Sequence, residues 1–199
     1  MRASWQRLVY FLGMAMEQRD IRNLALIGFM GTGKSTAGQM AARFLGFEFL
    51  DTDQLIEERA GRTIPEIFEQ AGETVFRELE SQVIELVGQE SGKVISTGGG
   101  VGANSDHVAS LKKHSLVVCL WANPETIYRR VSAQGNRPLL ECEDPKGRIH
   151  QLLEERSPFY RQADVLLSTE LRPLRDVASL LCRHFREAQE ECRNSKSAV

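Results

Sequence analysis

Short apolar runs alternate along this chain with segments in which apolar residues recur every three or four positions. The runs are brief and rich in β-branched or aromatic residues, which is typical of strands buried on both faces of a parallel sheet. The segments between them have the spacing of amphipathic helices. The predicted strands are residues 24–28, 47–51, 93–97, 116–121 and 165–168. This alternation predicts an α/β fold in which helices flank a five-stranded parallel sheet.

The helical signal is clear in three places. Residues 36–45 follow the first predicted strand, and two longer apolar stripes lie further along the chain. The stripes consist of Phe76, Leu79, Val83, Ile84 and Val87, and of Leu174, Val177, Leu181, Phe185 and Ala188. Each stripe predicts a helix with one face on the core. No repeat or linker interrupts the alternation, so we expect one domain over residues 21–193.

The two ends of the chain fall outside this pattern. Arg2 and Arg7 precede a weak apolar run over residues 8–14, for which a secretory signal is an alternative interpretation. We favour an N-terminal extension over residues 1–20 with poor order, with Met14 or Met16 as alternative initiators. Residues 194–199 are interpreted as a tail.

Composition narrows the function mainly by exclusion. The chain has 199 residues, is 42% hydrophobic and carries a formal net charge of −2. Because there is no basic excess to neutralise a phosphate backbone, we expect no nucleic-acid partner. The run over residues 8–14 is too short to cross a bilayer, so we expect no membrane association. The four cysteines lack the spacing of a zinc site, which favours reduced thiols and a cytoplasmic protein.

The strongest motif is a phosphate-binding P-loop, G-x-x-x-x-G-K-[ST], over residues 28–35. It follows an apolar run and precedes a helical segment, as the motif requires, which makes a chance match a weak alternative. The glycines let consecutive backbone N–H groups form a nest for phosphate oxygens. Lys34 can reach the β- and γ-phosphates, and the Ser35 hydroxyl can ligate Mg²⁺. The predicted nucleotide-binding residues are Gly31, Thr32, Gly33, Lys34, Ser35 and Thr36.

Two aspartates follow the second predicted strand. Asp51 and Asp53 lie two residues apart, so both carboxylates could face a cleft beside the P-loop. One could hold Mg²⁺, in part through water, and the other could accept the proton of an alcohol that receives the phosphoryl group. The alternative is that they cap the next helix and occupy its first turn.

Further candidates point to a small-molecule kinase. The chain lacks the Asn-Lys-x-Asp motif of GTPases and the Leu-Ser-Gly-Gly-Gln motif of ABC-type ATPases. Arg77 lies in an apolar-rich helix, where it could clamp a substrate carboxylate through two parallel hydrogen bonds. Residues 134–145 are polar and rich in turn-forming residues, which favours a mobile lid that carries Arg137.

These motifs, taken in order, resemble the shikimate kinase family, which uses ATP to phosphorylate the 3-hydroxyl of shikimate on the route to chorismate and the aromatic amino acids. The resemblance covers residues 24–169. Besides the P-loop it rests on Phe49-Leu50-Asp51-Thr52-Asp53, Gly72-Glu73-Thr74-Val75-Phe76-Arg77-Glu78-Leu79-Glu80, Ser96-Thr97-Gly98-Gly99-Gly100, Arg137-Pro138-Leu139-Leu140 and Glu155-Arg156-Ser157-Pro158-Phe159-Tyr160.

The resemblance implies a P-loop kinase fold and a role for each matching position. The shikimate-binding positions are Asp53, Arg77, Gly99 and Arg156. Ser35 and Asp51 match the Mg²⁺ site, while Lys34, Asp53 and Arg137 match catalytic positions. Arg137 would reach the ATP phosphates when the lid closes. Family precedent also favours a monomer.

One departure and two alternatives complete the interpretation. The segment Leu167-Ser168-Thr169 has no aspartate where the family often carries one near the adenine, which bears on nucleotide affinity. A related enzyme such as a gluconate kinase shares the P-loop and the general architecture. A non-catalytic, shikimate kinase-like binding module is the second alternative, although it should have lost some of these residues.

Overall fold

The computed structural model describes residues 19–132 and 143–197. Its centre is a five-stranded sheet in the order β2-β3-β1-β4-β5, in which all neighbouring strands pair in parallel. The strands are β1 Asn23–Ile27, β2 Glu48–Asp51, β3 Lys93–Ser96, β4 Ser115–Trp121 and β5 Val165–Ser168. The predicted fold class and the five predicted strands are therefore confirmed, with shifts of one residue at some strand ends.

Helices cover both faces of the sheet in the described part of the chain. They are α1 Lys34–Leu45, α2 Thr52–Ala60, α3 Ile64–Val87, α4 Ser105–Lys112, α5 Pro124–Ser132, α6 Pro145–Tyr160 and α7 Leu174–Ser197. A short 3₁₀ turn, Val101–Ala103, precedes α4. The lid was predicted over residues 134–145, and all but its last three residues lie outside the described residues. Its last residue, Pro145, is the first residue of α6.

The alternation within β1 explains why the core has two halves. Leu24 and Leu26 pack into one apolar cluster with α1 and α7, while Ala25 and Ile27 pack into the other with α3, α4 and α6. All four side chains are fully buried. Successive side chains of a strand point to opposite faces, so a strand that is apolar throughout needs a helical layer on each side.

The N-terminal end of the described chain is tied into this domain. The Arg19 guanidinium bonds Asp164 beside β5, and α7 continues through Ser197. Residues 1–18 lie outside the described residues, so the predicted N-terminal extension stays a prediction. Within the described residues, no helix is both long and apolar enough to cross a bilayer.

A buried histidine, His114, directly precedes β4. His114 Nδ1 lies 2.8 Å from the Ser115 hydroxyl, and its Nε2 is buried without a hydrogen-bond partner. Burial, with smaller effects from the positive charges of Arg22 and Arg19, lowers the pKa of His114 to about 4. The unfolded chain, whose histidine pKa is about 6.5, therefore binds a proton that the folded protein does not.

We therefore expect the free energy of unfolding to fall by about 2 kcal/mol between pH 7 and pH 5 because of His114 alone. The sign follows from a folded pKa below the unfolded one: the stability is present above pH 6.5 and is lost as the pH falls towards 4. Urea unfolding at both pH values measures it. His114→Gln should flatten the pH dependence, whereas His150→Gln, at an exposed position, should not. Equal pH dependence in His114→Gln and the parent protein would contradict the assignment.

Candidate active site

Three loops that follow neighbouring strands meet at one edge of the sheet. The P-loop follows β1, Asp51 ends β2, and the triple glycine Gly98–Gly100 follows β3. Because β3 lies between β2 and β1 in a parallel sheet, these segments are brought side by side where open α/β sheets bind ligands. The structure therefore assembles most of the residues that the sequence singled out.

The P-loop wraps around the Lys34 side chain. The Lys34 ammonium donates to the carbonyls of Gly28 at 2.8 Å and Phe29 at 3.1 Å, and the side chain is buried. Thr32 is also buried and donates to the Phe29 carbonyl at 2.7 Å. Gly31 and Gly33 have φ values of +75° and +92°, which L residues with side chains rarely adopt. Ser35 and Thr36 are exposed in the first turn of α1.

Asp51 serves two partners, so the two interpretations of this aspartate are compatible. Its Oδ1 accepts from the backbone N–H of Asp53 at 3.1 Å and caps α2. Its Oδ2 accepts from the Ser35 hydroxyl at 3.1 Å, and the Ser96 hydroxyl lies 3.3 Å from that of Ser35. This set of neutral and anionic oxygens fits a hard cation such as Mg²⁺.

The Asp53 carboxylate lies against the triple glycine. A Cβ at Gly98 would come within 2.2 Å of Asp53 Oδ1, so only glycine leaves room for this carboxylate. Burial, together with the negative charge of Asp51, raises the pKa of Asp53 to about 6, although the charge of Lys34 opposes the shift. A carboxylate with a pKa this close to neutrality is suited to general-base catalysis.

Arg77 projects from α3 towards Gly100, where an added Cβ would meet its NH1 at 2.7 Å. NH1 donates to Glu80 Oε2 at 2.9 Å, and NH2 donates to Glu73 Oε1 at 3.0 Å. The guanidinium also lies over the Phe76 ring, 5.2 Å from its centroid. It is thus a half-exposed arginine oriented by its own helix.

Arg156 reaches the same edge from α6. Its NH1 donates to the Gly99 carbonyl at 2.9 Å, and its guanidinium lies 5.4 Å from the Phe29 ring centroid. The predicted substrate positions Arg77, Gly99 and Arg156 are therefore grouped around the triple glycine, with Asp53 against Gly98. Arg137, also predicted for this site, lies outside the described residues.

Two residues that contact the candidate site were not predicted from the sequence. Arg130 in α5 donates to the Gly31 carbonyl at 3.2 Å and to both the side chain and the backbone carbonyl of Thr169, so it joins the P-loop to the segment after β5. Glu80 is the buried partner of Arg77. The available signal for Glu80 was its spacing of three from Arg77 on a helix, which places the two side chains together. Nothing comparable in the sequence marks Arg130.

Comparison with known proteins identifies the family. A family model described as shikimate kinase matches residues 30–185. The chain belongs to the shikimate kinase family. A shikimate kinase of Caldanaerobacter subterraneus subsp. tengcongensis is 44% identical over 165 residues, which are 83% of this chain and 96% of that relative.

Solved structures agree with this membership. Shikimate kinase from Acinetobacter baumannii, solved in complex with shikimate, is 36% identical; the match has a TM-score of 0.78 and covers 88% of this chain and 97% of that one. A gluconokinase from Sinorhizobium meliloti 1021 matches with a TM-score of 0.61 but only 15% identity, over 87% of this chain and 96% of that one. The second likeness shows a shared fold alone, which leaves the gluconate kinase alternative less supported.

Proposed function

We propose that this protein transfers the γ-phosphoryl group of Mg-ATP to the 3-hydroxyl of shikimate, giving 3-phosphoshikimate and ADP. The observation that carries the proposal is the convergence of the P-loop, the half-buried Asp53 carboxylate, Arg77 and Arg156 around one sheet edge. Membership of the shikimate kinase family supports the choice of acceptor.

ATP would bind with its phosphates in the P-loop. The N–H groups of Gly31 to Thr36 lie at the N-terminus of α1, where the helix dipole favours negative charge. Lys34 would exchange its contacts with the Gly28 and Phe29 carbonyls for the β- and γ-phosphates. Ser35 and Asp51 would hold Mg²⁺, which, when bound, neutralises charge that develops on the phosphate oxygens.

Shikimate would bind on the side of the triple glycine. Arg77 and Arg156 offer guanidinium groups to its carboxylate, and the backbone of Gly99 lies open to a close approach. Asp53 would accept hydrogen bonds from the ring hydroxyls. As the bond between the γ-phosphorus and the ADP oxygen breaks and the bond to the 3-oxygen forms, Asp53 takes the hydroxyl proton.

The proposal extends to Arg137 and to the cellular setting. Arg137 would add a positive charge at the transferring phosphoryl group as the lid excludes water. We place the enzyme in the cytoplasm, as a monomer, in the pathway to chorismate and the aromatic amino acids. Gluconate kinase activity is the runner-up, and a non-catalytic binding module is less supported because Lys34, Asp53, Arg77 and Arg156 are all present.

A coupled ADP-release assay with Mg-ATP tests the proposal. We expect ADP release that depends on shikimate and is absent with gluconate, with a nucleoside monophosphate or without an acceptor. Release with gluconate instead would move the activity to a sister kinase. No release with any acceptor, from protein that still binds ATP, would favour the binding module.

A further inference from the structure

Both edges of the Arg77 guanidinium are engaged by carboxylates of its own helix. Nε and NH2 donate to Glu73 Oε1 at 3.3 and 3.0 Å, and NH1 donates to Glu80 Oε2 at 2.9 Å. An arginine binds a carboxylate most strongly when the carboxylate accepts two parallel hydrogen bonds from one edge of the guanidinium. A substrate carboxylate can therefore take the Nε–NH2 edge of Arg77 only if Glu73 leaves, and at the other edge it meets the bond from NH1 to Glu80.

The two glutamates differ sharply in what it costs to move them. The Glu80 side chain is 2% exposed, so breaking its pair would leave a buried charge without compensation. The Glu73 side chain is 67% exposed and can return to water when its pair opens. Exposed pairs with this spacing on a helix are weak. Glu73 is consequently the glutamate that costs less free energy to displace from Arg77.

The backbone beside Glu73 also favours its displacement. Gly72, within α3, has φ 82° and ψ 174°, which breaks the helix into two segments immediately before Glu73. This φ lies in the region that glycine adopts without strain, and no atom lies within 4 Å of a Cβ placed there. Glu73 is therefore the first residue after the interruption of the helix, and its exposed side chain has room to move its carboxylate away from Arg77.

We propose that Glu73 is an internal competitor for the substrate carboxylate: it holds the Nε–NH2 edge of Arg77 when the site is empty and is displaced by the acid group of the ligand. This inference rests on the proposed function, in which Arg77 binds that group. Glu80 keeps the guanidinium in place throughout, because its bond is made through NH1. Glu73 thus sets the affinity for carboxylate ligands without touching the reacting atoms.

The charge-removing variant Glu73→Gln provides the test. We expect it to lower the Kd for shikimate, measured by calorimetry, by about two- to five-fold, which is the range expected from losing a weak exposed ion pair. The KM for ATP should be unchanged. Glu78→Gln is the matched control, since it removes the same charge from an exposed position of the same helix and should leave the Kd for shikimate unaltered.

A neutral ligand separates competition from a general effect of charge. Shikimate methyl ester lacks the anionic group that displaces Glu73, so its affinity should be the same in Glu73→Gln and the parent enzyme. An unchanged or higher Kd for shikimate in Glu73→Gln would overturn the inference, as would an equal gain for the ester or for Glu78→Gln. In a parent enzyme that turns over shikimate, those results leave the proposed function standing.

The assignment of Arg77 is checked separately. Arg77→Lys keeps the charge but loses the planar fork, so it should weaken shikimate binding at least ten-fold by disrupting two charged hydrogen bonds. An unaltered Kd in Arg77→Lys would remove Arg77 from the binding site and the competition by Glu73 with it. Absence of shikimate turnover by the parent enzyme would instead contradict the proposed function itself.

Discussion

Replacing Asp53 with asparagine is expected to lower kcat for shikimate phosphorylation by about 10²- to 10⁴-fold, the usual contribution of a general base. Asparagine has nearly the same shape and retains a hydrogen-bond acceptor for the ring hydroxyls, but it cannot take up the hydroxyl proton. The KM for ATP should change little, because the residues proposed to bind the nucleotide lie in the P-loop, around Lys34. Steady-state kinetics at saturating ATP measure both quantities.

The pH profile gives an independent signature of the same group. The pKa of Asp53 is raised to about 6 by burial and by the charge of Asp51. Since the ionised form is the base, kcat/KM should fall as the pH drops below about 6 and level off above it. The part of this acid limb that belongs to Asp53 should be missing in Asp53→Asn.

The same variant should be more stable than the parent protein. A carboxyl group with a folded pKa above its unfolded value favours folding only while it is protonated, and this contribution is lost as the pH rises through about 6. At pH 7 the ionised Asp53 therefore costs stability, by at most about 3 kcal/mol from the size of the shift. Urea unfolding of Asp53→Asn should show a gain.

Opposite effects on activity and stability make the test selective. Asp106→Asn, which changes an exposed aspartate in the first turn of α4, should leave kcat near that of the parent. Turnover by Asp53→Asn within a factor of about ten of the parent would remove the general-base role. Loss of activity together with loss of stability would show that Asp53 acts mainly in the fold.

The sequence predicted the parts of this site that depend on local chain direction. The P-loop and Asp51 lie where parallel strands end, and the ends of neighbouring strands share an edge of the sheet. The spacing of apolar residues, which locates the strands, and the P-loop motif were therefore sufficient to predict that these residues lie together. The confirmed strand pattern reflects the same physics, because β1 is apolar on both faces and requires helices on both sides.

The sequence could not predict contacts that depend on side-chain direction or on distant segments. The bond from Arg130 to Gly31 spans 99 residues, and neither residue type nor spacing distinguishes Arg130 from the neighbouring Arg129. The interpretation of Arg77 as a substrate clamp also missed that both of its edges are engaged by Glu73 and Glu80. Helical spacing allows such pairs, but competition for one guanidinium becomes visible only with distances.

Asp164 illustrates the same limit in the fold. The residue precedes β5 and has no motif around it, yet its carboxylate joins three segments of the chain. Arg19 donates to both oxygens at 2.8 and 2.9 Å, the Lys112 ammonium lies 3.0 Å from Oδ1, and the Val117 backbone N–H donates to Oδ2 at 2.9 Å. The side chain is 1% exposed.

We expect Asp164→Asn to lower the free energy of unfolding by about 3 to 5 kcal/mol, because it removes a buried anion and leaves the partly buried Arg19 and Lys112 without it. Urea unfolding at pH 7 measures the loss. Asp176→Asn, which alters an exposed aspartate in the first turn of α7, should cost no more than about 1 kcal/mol. Equal losses in the two variants would mean that the ion pairs of Asp164 with Arg19 and Lys112 contribute no more to stability than a single surface charge does.

Lowering the pH gives a second test of the ion pairs that Asp164 makes with Arg19 and Lys112. Burial opposes ionisation of Asp164, but the hydrogen bonds and charge of Arg19, the Val117 N–H and the charge of Lys112 outweigh it and lower the pKa below its usual value. A depressed folded pKa stabilises the protein above the unfolded value of about 3.9 and ceases to do so as the pH falls through the folded one. The penalty of Asp164→Asn should therefore be constant from pH 7 to about 5 and shrink below pH 4. A penalty that stays constant to lower pH would trace the loss to packing rather than to charge, since protonation would then have no pair to break.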